Sequence, residues 1–139
     1  MGHLYLACPY SHTNSAERER RFRTVCRAAA KLMQAGIVVF SPLSHSVPIV
    51  EHGGLGEMTH EFWMSQDIPF LQRCDELLVI GLEGWEDSLG VREEMFQAMA
   101  LRKPITVIIE ADIDRLPFIP KATRRFLQSN ILTKEVKNA

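Results

Sequence analysis

The sequence predicts an α/β fold built on a mainly parallel sheet of four to five strands. Three observations carry that expectation. Short, almost wholly apolar runs recur along the chain (LYLAC at 4–8, IVVF at 37–40, LLVIGL at 77–82, ITVII at 105–109), as the buried strands of a parallel sheet do. Segments of helical period separate them, which is the alternation of a sheet covered on both faces. With 139 residues, 46% of them hydrophobic and 24% charged, the chain has the size and composition of one globular domain spanning 1–139.

The first run ends at Pro9 and opens a polar loop, CPYSHTNS. From 15 to 35, Phe22, Val25, Ala29, Leu32 and Met33 recur at helical spacing, and Gly36 is placed to end the helix. The second strand closes at Ser41 and Pro42. Residues 41–56 hold two prolines and three glycines without a convincing period; they read as an unusually long connection, of the kind that often carries function. A second helix is expected over 57–73, with Pro69 tightening its last turns. The third strand, a loop over 83–89, a helix from Val91 onward and the fourth strand follow. The tail suggests a short helix over 121–129 and a short strand at 131–132.

Two carboxylates conflict with the helical pattern. At about 100° per residue, Val91, Met95, Ala98 and Met99 share one face, Leu101 extends it, and Glu94 falls inside that apolar arc while Glu93 points away. On the preceding helix, Trp63, Met64, Phe70, Leu71 and Cys74 form a second arc with Asp67 near its middle. A carboxylate in apolar surroundings is costly unless paired or neutralised. An edge carboxylate bound to backbone or to an arginine is the plain explanation for either one; two of them on helices flanking one strand point to a site. Ligands in such sheets lie beyond the C-terminal strand ends, which singles out the loops at 9–15, 41–56 and 83–90. Those loops contain Tyr10, Ser11, His45, Trp85, Ser88 and Gly90, the last two at a helix start that favours anions.

Other chemistries are excluded or disfavoured. There is no GxxxxGK[ST] or GxGxxG motif and no GxSxG elbow. Cys8, Cys26 and Cys74 are odd in number and lack metal spacing, so neither a disulfide framework nor a zinc site is expected, and a reducing cytoplasm is the expected setting. The five histidines, at 3, 12, 45, 52 and 60, are too dispersed to form a metal motif by spacing. Net charge is −1, which argues against a nucleic-acid polymer or a membrane as partner; Arg18, Arg20, Arg21, Arg23 and Arg27 make one local basic segment. Neither a secretory signal nor an apolar run of membrane-spanning length is visible.

Taken together, YLACPYS at 5–11, Asp67 followed by Leu71 and CDELLVI, and SLGVREE followed by Ala98 and KPI resemble the nucleoside 2-deoxyribosyltransferase-like superfamily. Within it, the chain is similar to a bacterial and phage branch with YLA-PYSH, SPLSH and GW-S-GV-E segments, over roughly residues 4–109. The resemblance implies a flavodoxin-like three-layer α/β/α sandwich. It also implies cleavage of the N-glycosidic bond of a deoxynucleoside or its 5′-monophosphate, with transfer to water or to another base and with no metal or cofactor. Glu94 then matches the nucleophile, Asp67 an aspartate that assists the leaving base, and Tyr5 a tyrosine that orients the nucleophile. Ser88, six positions before the glutamate, matches a residue that is Asp in the transferases and a phosphate-contacting Ser in the 2′-deoxynucleoside 5′-monophosphate N-glycosidases. The Ser and the arginine segment favour a phosphorylated substrate, although CPYSHTNS replaces the glycine-rich first loop of those hydrolases. The implied partners are a small-molecule nucleoside or nucleotide and further copies of the chain, as dimer or tetramer. A nucleotide-binding or sensing module with little turnover is the alternative.

Overall fold

The computed structural model describes residues 2–119; the helix expected over 121–129 and the strand at 131–132 lie outside them. In chain order the elements are β1 (His3–Ala7), α1 (Ser15–Gln34), β2 (Val38–Phe40), α2 (Pro42–Gly53), α3 (His60–Arg73), β3 (Glu76–Ile80), a 3-10 turn (Trp85–Asp87), α4 (Leu89–Ala100), β4 (Ile105–Ile108) and a second 3-10 segment (Glu110–Arg115). The four strands form one sheet in the order β2-β1-β3-β4, and every pairing is parallel. The strand order therefore reverses at β1, between its neighbours β2 and β3.

Strand alternation divides the core into two layers. Leu4, Leu6 and Cys8 join Leu78 and Ile80 beneath Val25, Ala28, Ala29 and Leu32 of α1. Tyr5 and Ala7 point the opposite way, with Leu77 and Val79, toward Leu71 of α3 and toward Val91, Met95 and Ala98 of α4. The result is the expected α/β/α sandwich. Among the described residues no helix is long and apolar enough to cross a membrane.

Local signals explain most element boundaries. Asn14 caps α1 by accepting from the amides of Ala16 at 2.8 Å and Glu17 at 3.2 Å. Gly36 follows the helix with φ 83°. Met33, expected on the buried stripe, is 59% exposed, because the real stripe runs through Arg21, Thr24, Val25, Ala28, Ala29 and Leu32 and Met33 lies a full helical step beyond it. The segment expected to be a long connection is in fact helix α2. Ser41 caps it, Pro42 occupies its first turn, where a missing N–H costs nothing, and Gly54 ends it at φ 67°. Leu43, Val47 and Val50 have i, i+4, i+7 spacing, an apolar stripe obscured by Pro48 and the terminal glycines.

Helix α3 starts at His60 rather than 57, where Thr59 caps the amide of Phe62 at 3.1 Å. At its other end the Lys103 ammonium gathers the carbonyls of Leu71, Gln72 and Cys74, placing a cation at the negative pole of the helix. Helix α4 begins two residues earlier than expected, with Ser88 as its cap. Leu101 ends that helix and is 39% exposed instead of extending the buried face.

The left-handed cap at Gly54 has no neighbour within 4 Å of a Cβ placed there. Gly54→Ala is therefore expected to cost about 1 kcal/mol through backbone conformation alone, read as a lowered urea midpoint at unchanged m-value.

Candidate active site

The register of β1 and the phase of α4 bring two side chains together inside the second core layer. Tyr5 lies at the middle of β1, opposite Phe40 on one side and Leu77 on the other, and is completely buried. Glu94 is turned to the sheet by the face that buries Val91, Met95 and Ala98. The Tyr5 hydroxyl donates a hydrogen bond to Glu94 Oε2. Asp67 and Leu71 are the two buried residues of α3, Asp67 keeping 8% exposure, and the charge of Asp67 acts on both Tyr5 and Glu94.

This arrangement disfavours negative charge. Burial pushes Glu94 up to about 8; the Tyr5 hydrogen bond pulls it back in part, and Asp67 pushes it further up. Burial alone takes Asp67 to about 6. The Tyr5 phenol is held far above its usual range by burial and by the two acids, so it serves as a fixed proton donor. Two carboxyl groups that interact while resisting ionisation titrate as a pair, and near neutral pH the pair holds about one proton.

Asp67 also borders an open cleft between α2 and α3, about 410 Å³ including the space open to solvent, with His45, Phe62, Trp63, Gln66 and Phe70 among its walls. Phe70 stacks on Phe40 with ring centroids 4.2 Å apart and planes 8° from parallel. Phe40 in turn lies 5.8 Å from the rings of Tyr5 and His45. A continuous aromatic wall thus leads from the cleft to the Tyr5–Glu94 pair, a surface suited to a flat heteroaromatic group.

The structure therefore unites Tyr5, Glu94, Asp67 and His45 of the residues singled out by sequence. Gly90 sits one helical turn before Glu94; since helical side chains lean toward the N-terminus, its missing side chain bares the space beside that carboxyl. A methyl group at Gly90 would make only an ordinary contact with Met64 at 3.9 Å, so packing does not require glycine there. Ser88 Oγ accepts from the amide of Val91 at 3.3 Å. Tyr10 is half-buried and Ser11 exposed on the loop after β1, and Trp85 is half-buried against the Tyr5 layer; these three are not among the walls of the cleft. Glu93 faces away and accepts from Gln97 at 3.3 Å.

Four of the five arginines of the segment are held by carboxylates, and Arg18 donates to the carbonyl of His12. Arg20 pairs with Glu17 and Glu110, Arg21 with Glu17, Arg23 with Glu19 and Arg27 with Asp114. Sequence reasoning missed Phe40, Phe62 and Gln66 and placed Trp63 and Phe70 in the apolar arc of α3, whereas both line the cleft and Phe70 is 44% exposed. Phe40 alone gave a signal, as the last residue of a strand in a fold whose ligands lie at strand ends. Among the described residues no group of three or more His, Cys, Asp or Glu side chains is placed to hold a metal ion.

Comparison with solved structures places this architecture in a class. The chain is similar to a 2-deoxyribosyltransferase from the psychrotolerant bacterium Bacillus psychrosaccharolyticus, with 19% identity, coverage of 90% of this chain and 99% of that one, and a TM-score of 0.60. The protein thus has a flavodoxin-like, nucleoside deoxyribosyltransferase-like fold. Residues 2–110 match the family described as Domain of unknown function (DUF1937), and the chain belongs to that family. Comparison with curated proteins returns no match.

The buried acid has a measurable consequence for stability. Between the ordinary carboxyl value of 4.5 and about 8, the unfolded chain is ionised at Glu94 while the folded chain keeps the proton, so rising pH favours unfolding. Glu94→Gln keeps an acceptor for Tyr5 and removes this penalty. The variant is expected to melt higher than wild type, with a gap near zero at pH 4 that widens up to about pH 8 and reaches the order of a few kcal/mol; thermal melts across that range check it.

Proposed function

We propose that the protein cleaves the N-glycosidic bond of a deoxynucleoside or its 5′-monophosphate through Glu94, passing the glycosyl group to water or to another base. The observation that carries this reading is the buried Glu94 carboxyl, oriented by Tyr5 and joined by Asp67 to a cleft walled with aromatic rings. The 2-deoxyribosyltransferase with the same fold supports it.

The reaction is a retaining displacement. The base lies in the cleft against Phe70 and Asp67, with the sugar directed toward Gly90. A Glu94 oxygen bonds to the anomeric carbon as the C–N bond breaks, and the bonding electron pair leaves with the base, which takes the proton of Asp67. Water or an incoming base then attacks the anomeric carbon of the glycosyl ester, its proton passing to the Asp67 carboxylate, and the C–O bond to Glu94 breaks to free that carboxylate. Productive binding requires one proton on the carboxyl pair, located on Asp67. In the free protein the deeper Glu94 is the more basic of the two; a base that covers Asp67 desolvates it further and draws the proton to it. Tyr5 holds the ionised Glu94 in line.

Glu94→Ala is expected to lower base release by about 10³-fold or more across a chromatographic panel of nucleosides and 5′-monophosphates, deoxy and ribo. Full release by that variant, alongside loss in Asp67→Asn, would overturn the assignment. Tight binding without release by the wild type would instead indicate a binding module.

The dependence of kcat/KM on pH should be bell-shaped, with limbs near 6 and 8, because both carboxyls are protonated below the window and both ionised above it. Asp67→Asn should abolish the alkaline limb, leave a single acid limb that moves up from near 6 toward the value of Glu94 alone, below about 8 because a neighbouring charge is gone, and slow base departure about 10²–10⁴-fold. A bell that survived in Asp67→Asn would exclude Asp67 as the acid.

A further inference from the structure

Arg21 is 6% exposed, whereas Arg20, Arg23 and Arg27 on the same helix are exposed. Burying a guanidinium is unfavourable unless its donors are met, and the partners that meet them are informative. Nε donates to Glu17 Oε1 at 3.1 Å, Nη1 to the carbonyl of Ser11 at 3.3 Å, and Nη2 to the carbonyl of Glu83 at 3.1 Å. Ser11 belongs to the loop leaving β1 and Glu83 to the loop leaving β3. These strands are adjacent and parallel, so the two loops emerge side by side at the C-terminal edge of the sheet. The guanidinium also lies close beneath Gly84, whose φ is 85° and where a Cβ would stand 3.7 Å from Nη2.

We propose that Arg21 is a positioning residue that clamps the loops after β1 and β3 to each other, and so sets the start of α4, with Ser88 and Gly90, relative to the end of β1. The planar fork of arginine suits this work: two donors diverge to two main-chain acceptors while the third is held by Glu17. A lysine offers a single charged point and cannot span both. Glu17 Oε1 needs only to accept from Nε to complete the set of partners. In catalytic terms the clamp rests on the glycosidic reading above, since a displaced α4 start would misalign the sugar with Glu94. The competing explanation is an ordinary ion pair between Glu17 and Arg21 one helical turn apart, which would stabilise α1 alone.

Hydrogen exchange and base-release kinetics on the full chain separate the two. In Arg21→Lys and Arg21→Met, exchange should quicken by about tenfold or more in both loops, residues 9–14 and 82–88, while β1 and β3 keep wild-type protection. kcat should fall by about tenfold or more with a smaller change in KM. Glu17→Gln, which keeps an acceptor for Nε, should leave both loops and kcat near wild type. Wild-type exchange of either loop in Arg21→Lys, or equal effects in Glu17→Gln and Arg21→Lys, would overturn the clamp. If Arg21→Met fails to fold, Arg21→Lys decides alone. If the wild type releases no base from any nucleoside, the glycosidic reading fails, and the exchange data still judge the clamp.

Discussion

The hydrogen bond from Tyr5 to Glu94 sets terms that the rest of the molecule must satisfy. A carboxyl inside an apolar layer is tolerable only with a donor fixed in place, and that donor comes from a strand. The register of β1 must therefore turn Tyr5 to the side of α3 and α4, and α4 must be phased so that Glu94, not Glu93, faces the sheet. Shifting β1 by one residue would turn Tyr5 to the opposite layer and leave the buried Glu94 without its donor. The cap at Ser88 acts on the same requirement, because the point where α4 begins decides which residues complete its inner face.

Raised acidities follow from this frame rather than from added charges. Glu94 and Asp67 both resist ionisation, and desolvation is the leading cause for each. Removing water from an acid destabilises the resting fold; in the proposed reaction it also readies the group to react, a trade that proteins make at reactive positions. Asp67 belongs to both sides of the trade, since it borders the cleft on one side and acts on the buried pair on the other.

Much of this was legible in the sequence, and the limits of that legibility are physical. The apolar strands announce themselves because a parallel sheet buries both faces. Glu94 and Asp67 stand out because helical phase is a property of a single segment. Tyr5 entered through the family resemblance, and strand alternation places it once the structure shows which face of β1 meets α4. Helix α2 was hidden because proline and glycine read as breakers unless their positions at the two ends of the helix are weighed. The aromatic wall was hidden for a different reason: Phe40 and Phe70 are far apart in sequence and stack only when α3 folds back beside β2. Pairings made by tertiary contact leave no local period to find.

The division of labour along the chain has a further consequence. The cleft is walled largely by side chains from α2, α3 and the turn between them, all within the one crossover from β2 to β3, whereas the Tyr5–Glu94 pair stands on β1 and α4. A crossover in an α/β protein tolerates insertion and rewriting far better than the strands it joins. On the proposed reading, recognition of the ligand and the chemistry on it are thus written in separate stretches of chain, with Asp67 common to both. On that reading, a frame of this kind takes new ligands by exchanging one crossover, provided the exchange keeps Asp67 in place beside the Tyr5–Glu94 pair.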